Sequence, residues 1–153
     1  MPVHLVQHPV ALDALALLRD KTTDSSEFRQ LARRVSLVLA IEATSDLACS
    51  TITVQTPLEP AEGRVLKGDV VVVPVLRAGL GMVDAVLEVL PRARLGHIGL
   101  QRDERTAVAS QYYFKLPRDL SNSTAIIIDP MLATGGSAVS AITMLQKIGR
   151  AHV

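Results

Sequence analysis

The chain has 153 residues, 48% hydrophobic and 20% charged, with 16 lysines and arginines against 15 acids. That length suits one core burying roughly 70% of the unfolded surface, and the balanced charge excludes a disordered polyelectrolyte and offers no field for nucleic acid or an anionic membrane. Cys49 is the single cysteine, so no internal disulfide forms, and a cytoplasmic setting with a small-molecule partner is expected.

The N-terminus lacks both a basic start and a clean apolar stretch, so it reads as neither an export signal nor a membrane helix. From Pro9 to Asp20 the residues Val10, Leu12, Leu15, Leu17 and Leu18 recur at helical spacing behind a proline suited to a first turn. Asp24 followed three positions later by Glu27 is a capping-box arrangement, and Phe28, Leu31, Val35, Val38 and Leu39 then mark one stripe of a longer helix. STITVQTPLEP alternates with period two and stops at prolines, which predicts a strand over Thr51–Gln55 at a sheet edge.

Val70 to Val73 and Val75 form a β-branched run without alternation, the pattern of a strand covered on both faces. Arg77-Ala-Gly-Leu-Gly ends it, and the helix-like MVDAVLEVL follows. RLGHIGLQR predicts another strand, and QYYFKLP an extended hairpin. TAIIIDPMLATGGSAVSAITMLQK then repeats the order strand, glycine loop, helix. Two such units predict an α/β fold with a mainly parallel central sheet, in one domain over residues 1–153.

In an open parallel sheet, ligands bind beyond the carboxyl ends of the strands, where both glycine loops fall. Thr134, Gly135, Gly136 and Ser137 would offer helix-start amides and two hydroxyls to one anion, such as a phosphate monoester. The nucleotide loop GxxxxGK followed by Ser or Thr is absent, and the run from Gly79 to Asp84 puts aspartate where a dinucleotide fingerprint needs its third glycine. Asp129 would repel a phosphate unless it faced something else, and sugar hydroxyls are the natural recipients. The combination suggests a ribose 5-phosphate.

IIIDPMLATGGS resembles the phosphoribosyl diphosphate motif of uracil phosphoribosyltransferases, including Pro130 in place of a second acid. VVPVLRAGLGMVDAVLEVLPRARLGHIGLQRDERT, HPVALDALALLRD and LAIEATSDL resemble earlier stretches of the same family. The resemblance implies a type I phosphoribosyltransferase-like fold, with helices flanking the sheet, N-terminal helices and a protruding β-hairpin. It implies transfer of ribose 5-phosphate from phosphoribosyl diphosphate to uracil, giving UMP and diphosphate in pyrimidine salvage. By it, Asp129, Pro130, Met131, Leu132, Ala133, Thr134, Gly135, Gly136 and Ser137 bind the donor. Arg77 and Arg102 hold its diphosphate and, with Asp129, form the catalytic set.

Magnesium would arrive on the diphosphate rather than through direct protein ligands, GTP is an activator in this reading, and the full-length protein is a homo-oligomer. Arginine suits forked recognition of phosphate oxygens as charge builds on the leaving group. On the residues alone, Arg102 and its neighbour Arg105 each read equally well as solvent-facing charges. Tyr112, Tyr113 and Phe114 read as hairpin packing or subunit contact, His4, His8 and His97 as structural or solvated, and Cys49 as a small packed residue.

The family's uracil site, a Gly-Asp-Ala turn in a later segment, has no match here, so no uracil-binding residue is assigned. Ile148 to Val153 can be encoded by ATCGGAAGAGCACACGTC, which reads like a sequencing adapter. The expectation is therefore that residues 148–153 are not native, that strands are missing after them, and that the chain as given is inactive in transfer. Two other functions stay open: an RNA-binding regulator on the same fold, and transfer to another base.

Overall fold

The structure is a computed structural model that describes residues 3–102 and 109–148. Helix α1 spans Pro9–Leu18 and α2 spans Ser25–Ala43. His8 caps α1, its Nδ1 accepting the Val10 N–H at 3.2 Å. Of the apolar residues at helical spacing on α1, Leu15 and Leu18 are partly buried. Ala11 and Ala14 are buried, while Val10, Leu12 and Leu17 are each 45% exposed. Small residues let the axes of α1 and α2 approach, and the larger side chains flank the contact. The stripe expected on α2 is rotated. Leu31, Ser36 and Ala40 are buried and Val35 and Val38 partly so, but Phe28 and Leu39 are exposed. Ser36 tolerates burial because its hydroxyl donates to the Ala32 carbonyl at 2.8 Å.

Strands β1 (Cys49–Gln55) and β2 (Pro60–Leu66) pair antiparallel in a separate two-stranded ribbon. Thr51–Gln55 is thus an edge strand, as expected, and the sheet it edges is this ribbon rather than the central one. Its partner β2 begins at a proline and contains Gly63, so propensity did not mark it. Thr56 closes the turn, its hydroxyl donating to the Glu59 carbonyl and accepting from the Leu58 and Glu59 N–H groups. Cys49 is exposed at the start of β1 rather than packed.

The central sheet is built on β3 (Asp69–Leu76). One side of β3 pairs in parallel with β7 (Ser123–Ile128), from Asp69 opposite Ser123 to Pro74 opposite Ile128. Its other side pairs in parallel first with β4 (Arg94–Leu95) and then with β5 (His97–Arg102). Pro74, which has no N–H to donate, falls between those two partners, and this explains a proline inside a central strand. β6 (Ala109–Lys115) pairs antiparallel with β5, in line with the extended hairpin expected of QYYFKLP.

Helix α3 (Leu80–Val89) and helix α4 (Gly136–Ile148) supply the covers. Val71, Val73 and Val75 pack with Ala141 and Leu145 of α4, while Val72 packs with Val86 of α3, Ala40 of α2 and Ile128. The unalternating valine run is therefore apolar because both faces of β3 are covered, each full burial contributing about 1.5–3 kcal/mol. At the amino ends of the strands Arg94 donates to Ser123 Oγ at 2.8 Å and pairs with Asp69 at 3.1 Å, tying β4 to β7 and β3. Among the described residues, no helix is long and apolar enough to cross a membrane.

Asp24 caps α2, its Oδ1 accepting the Ser26 and Glu27 N–H groups at 2.7 and 2.9 Å. These bonds, that from Glu27 foremost, hold its carboxyl below the ordinary value of 3.8. A depressed folded-state pKa contributes stability above the unfolded value, and that contribution fades as pH falls through the folded one. Asp24→Ala should therefore lower the melting temperature at neutral pH, and the gap to the parent should close in acid, once pH has fallen through the lowered folded-state value. Thermal melts at neutral and acid pH check this, and an undiminished gap in acid would mean that the carboxylate is not the cap.

Candidate active site at the carboxyl ends of the sheet

Two loops leave adjacent strands at the same end of the sheet. The first, after β3, carries Arg77, Ala78 and Gly79 into α3, and its Leu76–Arg77 peptide bond is cis. Gly79 is buried. A Cβ there would lie 2.5 Å from the Ile128 carbonyl oxygen and 2.8 Å from both the nitrogen and the oxygen of Val75. Only glycine lets this turn rest against the last carbonyl of β7, one residue before Asp129. Gly81, by contrast, has nothing within 4 Å of its added Cβ. The close turn thus rests on Gly79 and not on Gly81.

The second loop runs from Asp129 to Gly135. Asp129 Oδ1 accepts the Met131 N–H at 3.2 Å, which turns the chain past Pro130. Gly135 has φ +78°, a left-handed conformation that side chains resist, and its carbonyl accepts the Val139 N–H at 2.9 Å as α4 begins. Gly136 opens that helix, so its amino end and the Ser137 hydroxyl lie directly after the turn. Met131 and Leu132 are about three-quarters exposed, at 74% and 77%.

A hollow of about 260 Å³ brings together Arg77, Asp129, Met131, Ala133 and Ser137 over a floor that includes Val75 and Leu100. Pro130, Leu132, Thr134, Gly135 and Gly136 complete the loop that bounds it. A second hollow, of about 560 Å³, shares Leu76, Arg77 and Leu100 with the first and extends to Gln101 and Tyr112. Arg77 is exposed where the two meet. Asp129 also borders a groove of about 470 Å³ on its other side, lined by His4, Ser36, Glu42 and Asp46 among others. His4 approaches Glu42 there, at 3.7 Å.

Arg102 ends β5 with its backbone opposite Ala109, on the strand next to β3. Arg105 and the segment 149–153 lie outside the described residues. Tyr112 and Gln101 were not read as site residues. The sequence signal that bears on Tyr112 is the paired tyrosines Tyr112 and Tyr113, whose neighbours on a strand point to opposite faces. Among the described residues, no group of three or more His, Cys, Asp or Glu side chains converges as a metal cluster.

Fold and site together define an α/β protein with a glycine turn leading into a helix start and a carboxylate loop beside an arginine loop. Residues 5–152 match the family described as uracil phosphoribosyltransferase. A uracil phosphoribosyltransferase of Clostridium perfringens is 48% identical over 149 residues, covering 97% of this chain and 71% of the relative. That of Clostridium beijerinckii is 48% identical over 145 residues, covering 94% and 69%. A solved structure of a protein from Aquifex aeolicus superposes with a TM-score of 0.88 at 32% identity, covering 97% of this chain and 71% of its own. The chain belongs to the uracil phosphoribosyltransferase family.

The contrast between Gly79 and Gly81 is testable. Gly79→Ala forces backbone apart and should cost about 1–3 kcal/mol. Gly81→Ala, in open space inside α3, should stabilise by about 0.5–1 kcal/mol. Denaturant midpoints of the two variants measure the difference, and equal effects would mean that the Gly79 contact with Ile128 is not what holds the loops together.

Proposed function

We propose that the protein transfers the ribose 5-phosphate of phosphoribosyl diphosphate to uracil, yielding UMP and diphosphate in pyrimidine salvage. The observation that carries this reading, beside membership of the family, is the hollow shared by Arg77, Asp129 and the loop to Ser137. In this reading the amides at the start of α4, with the Thr134 and Ser137 hydroxyls, take the 5′-phosphate, aided by the positive end of the helix. Asp129 accepts hydrogen bonds from the ribose hydroxyls. Arg77 binds the diphosphate and stabilises the charge that builds on it as its bond to the ribose breaks. Arg102, at the end of the adjacent strand, is assigned to the same diphosphate. Holding the donor in place is then most of the catalytic work, and no protein nucleophile is required.

Phosphoribosyltransferases use magnesium with this donor, and the residues here fit an ion carried by the substrate. Asp129, the carboxylate beside the hollow, is taken by the ribose hydroxyls in this reading, and magnesium would be held by diphosphate oxygens and water, as it commonly is with phosphate substrates. When bound, it neutralises part of the diphosphate charge. GTP as an activator, and a cytoplasmic setting, belong to the same reading through the family alone.

The reading also makes the protein a homo-oligomer, supported by the apolar side chains that α1, α2 and the ribbon leave exposed, Phe28 and Leu58 among them. Light scattering after size exclusion should give a mass above that of one chain, and a monodisperse monomer at micromolar concentration would count against it.

The donor site is tested by calorimetry with phosphoribosyl diphosphate. Arg77→Ala should weaken binding by at least about tenfold, and Asp129→Asn by a similar factor. Neither should move the melting temperature much, because Arg77 is exposed and asparagine can still accept the Met131 N–H. In the full-length protein, uracil-dependent UMP formation should fall in parallel. Variants that melt early yet bind normally when folded would show that these residues hold the fold rather than the donor.

A further inference from the structure

The pairing of β5 with β6 slips by one residue at the end nearest the site. Gly99 lies opposite Tyr113, but the next residue, Leu100, lies opposite Gln111, so Tyr112 has no partner in the ladder. Such a bulge re-aims the side chain of the extra residue. Gly99 gives that side chain room. A Cβ on Gly99 would lie 2.7 Å from Cζ and 2.8 Å from Cε2 of Tyr112, so the tip of the ring lies across the bare backbone of β5.

On its other side Gly99 pairs with Leu76, the residue immediately before Arg77. The ring therefore points from β6 over β5 toward the arginine loop, and Tyr112 lines the same hollow as Arg77, Leu100 and Gln101. Tyr112 stays 53% exposed, unlike Phe114, which packs on the core. Tyr113 lines a different hollow, with Leu95, His97, Lys115 and Leu116. A Cβ on Gly99 would also lie 2.8 Å from the Cβ of Tyr113, so the glycine serves the β5–β6 pairing as well, and the bulge and the hollow are the features specific to Tyr112.

We propose that Tyr112 is a donor-binding residue whose phenol O–H donates a hydrogen bond to the diphosphate group held at Arg77. This rests on the donor-site reading above and adds a contact to it. A phenol supplies a fixed donor without adding charge, and its rigid ring carries the hydroxyl over Gly99 into a space that a short side chain on β6 would leave empty. Gly99 is then part of the site, because only a residue without a Cβ leaves the ring its path.

Calorimetry with two separate probes, inorganic diphosphate and ribose 5-phosphate, tests the assignment. Tyr112→Phe should weaken diphosphate binding about tenfold, the usual loss for a hydrogen bond to a charged group, and leave ribose 5-phosphate binding and the melting temperature unchanged. Gly99→Ala should weaken diphosphate binding in the same direction by pushing the ring aside, and Tyr113→Phe should bind both probes as the parent does. Diphosphate binding by Tyr112→Phe as tight as the parent's would overturn the proposal and leave the donor-site reading intact. Equal loss of both probes would also overturn it, since the phenol would then be holding structure. A parent chain that binds neither probe would refute the donor-site reading itself, and the Tyr112 contact with it.

Discussion

The parallel pairing of β3 with β7 is the constraint on which the rest of the molecule depends. It runs through six consecutive residue pairs, from Asp69 and Ser123 to Pro74 and Ile128. Because the strands run the same way, both end at the same edge and deliver their loops side by side. The register then sets how close the loops come, and Gly79 against the Ile128 carbonyl is the point of nearest approach. A slip of one residue in this ladder would turn every inward valine of β3 to the opposite face and part Arg77 from Asp129 at the same time. Stability of the core and integrity of the candidate site are in this sense one property.

The layers on either side of the sheet are unequal. Helix α4 covers one face with Ala141 and Leu145, and α3 with part of α2 covers the other. Helix α1, with Ala11 and Ala14 buried, touches the body at α2, and the β1–β2 ribbon pairs mainly with itself. An isolated two-stranded ribbon is marginal in water, so the ribbon and the outer helix sit at the low-stability end of the molecule. The site is anchored at the other extreme, on the strands with the most buried side chains.

Within the site the same atoms carry local structure and chemistry. Asp129 holds its own turn through the Met131 N–H and still borders the hollow. Gly135 adopts a left-handed conformation directly before α4 begins at Gly136. In the proposed reading the backbone does much of the anion recognition, which would let a chain of balanced charge hold a highly charged donor without a broad basic surface.

Much of this was legible from residue order. The valine run of β3, the repeated order of strand, glycine loop and helix, the Asp24 cap and the string from Asp129 to Ser137 are local patterns, and locally determined structure is what sequence encodes most directly. The string also carried the family. What was missed depended on partners distant in the chain. The buried side of α1 turned out to be its alanines because close approach to α2 outweighs hydrophobicity residue by residue. The strand at Thr51–Gln55 was foreseen, but its partner β2 was not, because a proline and a glycine concealed it. The bulge that turns Tyr112 toward Arg77 exists only because β6 pairs with β5 and Gly99 leaves space beneath the ring. Sequence by itself determined which segments form strands, turns and helix starts, since those follow from side-chain chemistry within a few residues. Tertiary structure alone decided which faces are buried and which side chains share a hollow, since those follow from the register and separation of elements far apart in the chain.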